Sequence, residues 1–213
     1  MKLYGYWRSS AAYRVRIALQ WKQLSVEHIP VHLVQNGGEQ HSAAYRQLNP
    51  SELVPTLVDD DVSVNQSLAI VEYLDEKHPD FPLLPSDLAS RAIVRALALD
   101  IAADLHPLNN LRVLQYLTGP LALSEEQKLA WIHHCLHVVF HSLEQKLAQT
   151  SGRYCYQDQL TLADVCLVPQ VYNALRFQLD MSDYPLIQRI YLQCQQLDAF
   201  QKAAPEQQAD ANL

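Results

Sequence analysis

The fold of this chain is decided near its start, where residues 3–22 read LYGYWRSSAAYRVRIALQWK. Residues 3–7 have the composition of a β-strand, and residues 11–22 have the apolar spacing of an amphipathic helix. Ser9 and Ser10 therefore stand at a strand-to-helix junction. The first turn of a helix carries unpaired N–H groups and a partial positive charge, and serine is a preferred N-cap. The junction is predicted to hold an anion.

We expect this anion to be a thiolate that arrives on a ligand, because all four cysteines lie in the second half of the sequence. A free thiol titrates near pKa ~8.5, and lowering that value by about two units requires about 2.7 kcal/mol. A charge-assisted hydrogen bond supplies about 1.5–3 kcal/mol and a helix terminus about 0.3–2 kcal/mol. One serine hydroxyl and the helix start are therefore sufficient. Helix capping alone remains the alternative explanation of the serines.

Composition excludes several classes of function. The net charge of −7 over 213 residues argues against a nucleic-acid surface, because phosphate binding depends on clustered lysine and arginine. No apolar run reaches the ~18 residues of a membrane span, and the start of the chain lacks a signal-peptide pattern. The four cysteines have no metal-ligand or disulfide-framework spacing. We expect a cytoplasmic protein without a metal, a nucleic-acid partner or a membrane partner.

Strand and helix signals alternate in the first part of the chain and predict a βαβαββα order. The predicted elements lie at 2–7, 11–22, 26–32, 41–47, 55–59, 62–65 and 67–77. From residue 88 onward helical spacing replaces the strand signals, and three prolines in residues 79–85 suggest an extended linker. The sequence thus predicts an α/β domain in 1–80 and an all-α domain in 88–213, with a polar tail over 203–213 that frays.

Two further segments of the α/β half could bind a ligand. Gln66 and Ser67 open a predicted helix directly after a strand, so two helix starts could hold the two ends of an elongated anionic ligand. Pro55 suits a sheet edge or a strand start, and the adjoining Val54 backbone could pair with a peptide-like ligand. Capping and edge position are the structural alternatives.

Two motifs stand out in the helical half. Pro107 after His106 should kink the helix, and Asn110 and Arg112 follow within reach of the resulting gap. A single histidine is more often structural than catalytic. Residues 161–164 (TLAD) have the spacing of a capping box with aspartate in place of glutamate, and their predicted role is in folding.

Several motifs together resemble the zeta class of glutathione transferases. They are residues 9–19 (SSAAYRVRIAL), Asn49-Pro50 with residues 54–57 (VPTL), residues 66–70 (QSLAI) and residues 161–164. The resemblance covers essentially the whole chain. It implies a glutathione transferase fold, with a thioredoxin-like N-terminal domain, an all-helical C-terminal domain, a cis peptide bond at Val54-Pro55, and a homodimer.

The resemblance also implies that glutathione is the cofactor. Ser9, with Ser10 beside it, is then the residue that holds the thiolate. Gln66 and Ser67 match the pair that takes the γ-glutamyl carboxylate, and the Val54 backbone matches the group that pairs with the cysteinyl part. The remaining residues implied to contact glutathione or line its cleft are Gln40, Pro55, His106, Asn110 and Arg112.

The chain departs from the family pattern at two positions. Ala11 stands where many zeta enzymes have a cysteine after the serine pair, which puts chemistry that needs a protein thiol in doubt. Isomerisation survives the change because glutathione supplies the nucleophile. His106 stands where some relatives carry glutamine, and the two departures together resemble bacterial members of the class.

The implied activity is cis–trans isomerisation of maleylacetoacetate to fumarylacetoacetate, in tyrosine and phenylalanine catabolism, by reversible thiolate addition. Arg8 and Arg176 are candidates for binding the carboxylates of this small dicarboxylate substrate, with Arg112 as a third. Structural ion pairs are the alternative for each arginine. Alternative functions are maleylpyruvate isomerisation, a general glutathione transferase or dehalogenase activity, and a thioredoxin-fold binding protein without catalysis.

Overall fold

The computed structural model describes residues 1–212 and divides into two compact units. Unit 1 comprises Met1–Leu83 together with the segment from Gln195, and unit 2 comprises Leu84–Cys194. The boundary between the units falls inside the proline-rich linker. The C-terminal segment belongs to unit 1, which differs from the single helical domain over 88–213 that the sequence predicts. Leu213, the last residue of that range, lies outside the described residues.

Unit 1 is built around a mixed sheet with the strand order β2-β1-β3-β4. The strands are β1 (Lys2–Gly5), β2 (Glu27–Pro30), β3 (Thr56–Asp59) and β4 (Val62–Asn65). β1 is parallel to β2 and antiparallel to β3, and β3 is antiparallel to β4. The helices are α1 (Ser10–Trp21), α2 (Ala43–Leu48) and α3 (Ser67–Lys77), so the βαβαββα prediction is confirmed. Short 3-10 turns at Gln35–Gly37 and Glu39–His41 precede α2.

Helix α1 is more deeply buried than an amphipathic pattern predicts. Every residue from Ser10 to Leu19 is buried, including Arg14 and Arg16, which the sequence pattern turns away from the core. The Arg16 guanidinium donates hydrogen bonds to the backbone carbonyls of Ala203 (3.0 Å) and Trp7 (2.9 Å). These bonds replace water around a buried cation, which is otherwise costly to desolvate.

The C-terminal segment covers α1. Helix α9 (Asp198–Ala203) packs against α1, and its Phe200 is completely buried. Two 3-10 turns follow at Pro205–Gln207 and Ala209–Asn212, and the Asp210 carboxylate accepts a hydrogen bond from the Trp7 N–H (2.9 Å). The expectation that residues 203–212 fray is therefore wrong. Polar composition alone does not reveal a partner that lies about two hundred residues away.

A buried ion pair holds the start of the linker within unit 1. Lys22 Nζ lies 2.6 Å from Asp75 Oδ1, and their side chains are 0% and 9% exposed. The same ammonium donates to the carbonyls of His78 (2.8 Å) and Asp80 (3.1 Å), and Asp75 also accepts from the Leu83 N–H (2.9 Å). All of these groups are thus satisfied without water.

Unit 2 is all-helical. Its α-helices are α4 (Leu88–Leu99), α5 (Leu111–Thr118), α6 (Glu125–Thr150), α7 (Leu162–Arg176) and α8 (Pro185–Cys194). Regular α geometry ends at Leu99, and a π-helical segment (Asp100–Leu105) and a 3-10 turn (His106–Asn109) follow. The interruption predicted at Pro107 therefore begins two turns earlier. Among the described residues, no helix is both long enough and apolar enough to span a bilayer.

The capping box predicted at the start of α7 is confirmed. The Asp164 carboxylate is fully buried and accepts hydrogen bonds from the N–H of Thr161 (2.8 Å), the N–H of Cys155 (2.8 Å) and the Thr161 hydroxyl (2.9 Å). Burial raises the pKa of the Asp164 carboxyl, and these hydrogen bonds oppose that rise. The contacts join the loop around Cys155 to the helix, which is the folding role the motif predicts.

Candidate active site

Ser9 and Ser10 occupy the junction between β1 and α1, as the sequence predicts. Ser9 is the N-cap, with its Oγ accepting a hydrogen bond from the Ala12 N–H (3.2 Å), and Ser10 is the buried first residue of the helix. Because the Ser9 oxygen acts as an acceptor, its hydroxyl proton remains available to donate. Capping and thiolate binding are therefore compatible at Ser9.

No thiol of the chain competes for this junction. All four cysteines lie in the buried interior, and none of them forms a disulfide. Burial raises the pKa of Cys135, Cys155 and Cys194, so these thiols stay protonated at neutral pH. Among the described residues, no group of three or more His, Cys, Asp or Glu side chains could hold a metal ion. Thiolate chemistry at Ser9 would use a sulfur from outside the chain.

Arg8 lies next to the serines and stacks on two aromatic rings. Its guanidinium carbon is 5.9 Å from the Tyr6 ring centroid and 5.3 Å from the Trp7 ring centroid. Within residues 1–212 no carboxylate lies at ion-pair distance from Arg8. The structural ion pair considered as the alternative is absent there, and aromatic stacking leaves the positive charge accessible to an anionic ligand.

The second helix start is formed by Gln66 and Ser67. Gln66 is exposed, has a φ of 71°, and makes no capping hydrogen bond with its side chain, so simple capping does not explain it. Ser67 is buried, and its Oγ accepts a hydrogen bond from Arg14 Nη1 (3.2 Å). The Ser67 hydroxyl can still donate to a carboxylate, with a buried guanidinium directly behind it. The sequence did not assign Arg14 to this site, because the helical spacing turns Arg14 away from the core.

The segment before β3 offers an open backbone. Val54-Pro55 is a cis peptide bond, as the family resemblance implies. Pro55 directly precedes β3, which lies between β1 and β4, so the strand-start alternative is correct and the edge alternative is wrong. Within residues 1–212, neither the N–H nor the C=O of Val54 bonds to another backbone group. The segment is held by Leu53, whose carbonyl accepts from Tyr45 Oη (2.7 Å) and Asn49 Nδ2 (2.8 Å).

Gln40 is a buried amide in the turn before α2. Its Nε2 donates to the Leu33 carbonyl (3.4 Å), whereas its Oε1 is buried without a hydrogen-bond partner in the described part of the chain. Gly38 leaves room for this amide: its φ is +99°, and a Cβ there would lie 2.6 Å from Gln40 Nε2. A buried unpaired acceptor is costly, which favours a ligand donor at this place.

The remaining predicted site residues lie in unit 2. His106 opens the 3-10 turn, and Asn110 caps α5 by accepting from the Arg112 N–H (3.1 Å). Arg112 is exposed. Arg176 is the last residue of α7, with its guanidinium 4.3 Å from the Phe177 ring centroid. Asn110 thus has a structural role as a cap in addition to any role in binding.

Comparisons with known proteins agree on one family. A model of the glutathione S-transferase N-terminal domain matches residues 3–82. A probable maleylacetoacetate isomerase from Vibrio cholerae is 59% identical over 98% of this chain and 97% of its own length. A solved holo maleylpyruvate isomerase, described as a bacterial zeta-class glutathione transferase, has a TM-score of 0.95 at 43% identity and covers 99% of both chains. A maleylacetoacetate isomerase from Methylobacterium extorquens AM1, solved with malonate and glutathione bound, has a TM-score of 0.94 at 37% identity and covers 98% of both chains.

The chain belongs to the glutathione transferases, within the zeta class. The predicted glutathione transferase fold is confirmed, and glutathione is the cofactor that this family assignment supports. The polar groups of unit 1 suit such a ligand: they offer hydroxyl donors at Ser9 and Ser67, an unpaired acceptor at Gln40 and an open backbone at Val54.

Proposed function

We propose that this chain catalyses the glutathione-dependent cis–trans isomerisation of maleylacetoacetate to fumarylacetoacetate. The observation that carries the proposal is the Ser9 cap, whose hydroxyl keeps a proton to donate at a helix start where the chain has no thiol of its own. The relatives named as maleylacetoacetate isomerases support the choice of substrate.

When bound, glutathione supplies a thiol that adds reversibly to the cis double bond, so that the bond can rotate before the thiol leaves. Ser9 donates a hydrogen bond that favours the ionised sulfur, and the α1 N-terminus adds its partial positive charge. Ser67, backed by Arg14, and Gln66 bind the γ-glutamyl carboxylate, while Val54 and Gln40 bind the peptide part. Arg8 binds a carboxylate of the substrate. It also stabilises the negative charge that develops on the carbonyl oxygen of the substrate when the thiol adds.

The roles of the unit 2 residues belong to the same proposal. Arg176 and Arg112 bind the dicarboxylate substrate, and His106 and Asn110 line its cleft.

We also propose a homodimer in the cytoplasm; the four buried cysteines without a disulfide suit a reducing compartment. Light scattering after size-exclusion chromatography measures the oligomeric state, and a monomer would contradict the proposed homodimer.

The second candidate is maleylpyruvate isomerisation, which the similarity to a solved maleylpyruvate isomerase favours. The deciding experiment supplies maleylacetoacetate and maleylpyruvate side by side to the purified protein and follows isomerisation with and without glutathione. Faster turnover of maleylacetoacetate supports the first proposal, and faster turnover of maleylpyruvate supports the second. Stoichiometric consumption of glutathione would instead indicate a conjugating transferase or dehalogenase. Failure to bind glutathione would overturn both isomerase functions and the transferase or dehalogenase function.

A role in tyrosine and phenylalanine catabolism predicts neighbouring genes for a homogentisate dioxygenase and a fumarylacetoacetate hydrolase.

A further inference from the structure

His41 and Glu52 lie outside the residues assigned to the site, yet His41 contacts Gln40, which is one of those residues, and Glu52 contacts His41. His41 Nε2 lies 3.0 Å from Nε2 of Gln40, and His41 Nδ1 bonds to the Glu52 carboxylate. On the other side of Glu52, Arg46 Nε lies 2.9 Å from Oε1. His41, and next to it Arg46, hold the pKa of the Glu52 carboxyl below its usual range, so Glu52 is ionised at neutral pH.

These contacts determine which way each group points. An ionised carboxylate can only accept, so the proton of a neutral His41 ring resides on Nδ1. The ring then presents a lone pair at Nε2, and Gln40 can satisfy it only by turning its NH2 group toward the ring. The opposite orientation would set the Gln40 oxygen against a lone pair, which is repulsive. The contacts from Glu52 through His41 to Gln40 therefore leave Oε1 of Gln40 as the group that has no hydrogen-bond partner within residues 1–212.

The same chain of contacts joins two parts of the glutathione site. Gln40 lies in the turn before α2, whereas Glu52 lies two residues before Val54, whose backbone is open. The loop that presents Val54 is thus tied to the buried amide through His41 and Glu52.

We propose that His41 and Glu52 are positioning residues for glutathione. They fix the Gln40 amide so that its Oε1 accepts a hydrogen bond from an N–H group of glutathione. They also hold that amide in a fixed position relative to the loop that presents Val54. This inference rests on the proposed glutathione-dependent function, and it assigns no contact between either residue and the reacting atoms.

The test measures glutathione binding calorimetrically in the full-length protein. Glu52→Ala should raise the Kd about 10-fold, as expected for loss of one well-oriented hydrogen bond. It should raise KM for glutathione more than it lowers kcat. Arg46→Ala is the matched control, because it removes the other partner of Glu52 and leaves the contact with His41; its Kd should stay within about twofold. Equal effects of the two variants would overturn the inference.

A double-mutant cycle separates positioning from a general structural role. If Glu52 acts through His41, the double variant His41→Ala/Glu52→Ala should bind glutathione no more weakly than His41→Ala alone. Additive losses would contradict the chain of contacts. Nitrogen-15 NMR of the unmutated protein should show the His41 proton on Nδ1, and a proton on Nε2 alone would refute the argument even where a variant fails to fold.

The outcome for the unmutated protein separates this inference from the proposed function. If the unmutated protein does not bind glutathione, the proposed function fails. If it binds glutathione and Glu52→Ala binds equally well, the positioning role alone fails.

Discussion

Replacing Ser9 by alanine removes two hydrogen bonds with different consequences. The first is the cap that accepts from the Ala12 N–H, and its loss should lower the free energy of unfolding by about 0.5–2 kcal/mol. The second is the proposed bond to the bound thiolate, which is worth about 1.5–3 kcal/mol, so its loss should raise the pKa of the bound thiol by about 1.1–2.2 units.

The loss of turnover follows from the change in ionisation. A bound thiol that titrates near pKa ~6.5 is about three-quarters ionised at neutral pH, and after the rise only about 2–20% is ionised. Turnover at neutral pH should therefore fall about 4- to 40-fold, with a smaller change in glutathione affinity because the peptide contacts remain. Raising the pH through the new pKa should restore turnover, since the thiolate then forms without the hydroxyl.

Two controls separate the cap from the thiolate bond. Ser124 caps α6 by accepting from the Gln127 N–H (3.2 Å), so Ser124→Ala should cost similar stability and leave turnover intact. Ser9→Thr keeps a hydroxyl and should retain most of the turnover. The measurements are urea unfolding, isomerisation rate against pH, and ultraviolet titration of the thiolate in the glutathione complex. Normal turnover with an unchanged thiol pKa in Ser9→Ala would refute the assignment and move the role to Ser10 or to the backbone.

Three further predictions concern buried polar contacts. Lys22→Met should lower the free energy of unfolding by about 3–5 kcal/mol, because Asp75 is left buried without its partner; a loss below about 1 kcal/mol in urea would contradict the ion pair. Lys77 Nζ lies 2.5 Å from Asp59 Oδ2 and holds the pKa of the Asp59 carboxyl below its usual range. The stability that the ionised Asp59 gives the fold is therefore present above pH ~4 and is lost as the pH falls. Asp59→Asn should therefore be less stable at neutral pH but converge with the unmutated protein in acid, and parallel stability curves would refute this. Ser67→Ala should raise the Kd for glutathione about 10-fold in calorimetry, since Arg14 alone then faces the ligand carboxylate, and an unchanged Kd would exclude Ser67 as a contact.

The sequence predicts the elements of unit 1 well because its signals are local. The serine pair begins α1, and period-two and helical spacing locate the strands and α3 within a few residues. The burial of Arg14 could not be predicted in this way, because an argument from helical periodicity assumes that one face of the helix is exposed to solvent. Here α3 and α9 both pack on α1, and α9 comes from the far end of the chain.

The site shows the same limit. Ser9 and Ser67 are recognisable because each lies at a helix start after a strand. The cis bond before Pro55 follows from family resemblance, since most X-Pro bonds are trans and local sequence does not decide the isomer. The contact between His41 and Glu52 has no sequence signal at all: two polar residues eleven positions apart meet only because a turn and a loop converge.

The return of α9 to α1 has a consequence for biosynthesis. Unit 2 is continuous in sequence, so it can complete its fold as soon as residue 194 has left the ribosome. Unit 1 is not continuous, because the carbonyl that holds Arg16 belongs to Ala203. During translation the N-terminal sheet must therefore wait, with one flank of its first helix uncovered, until the segment up to Ala203 has been made, and the half of the molecule that is made first is the last to be finished.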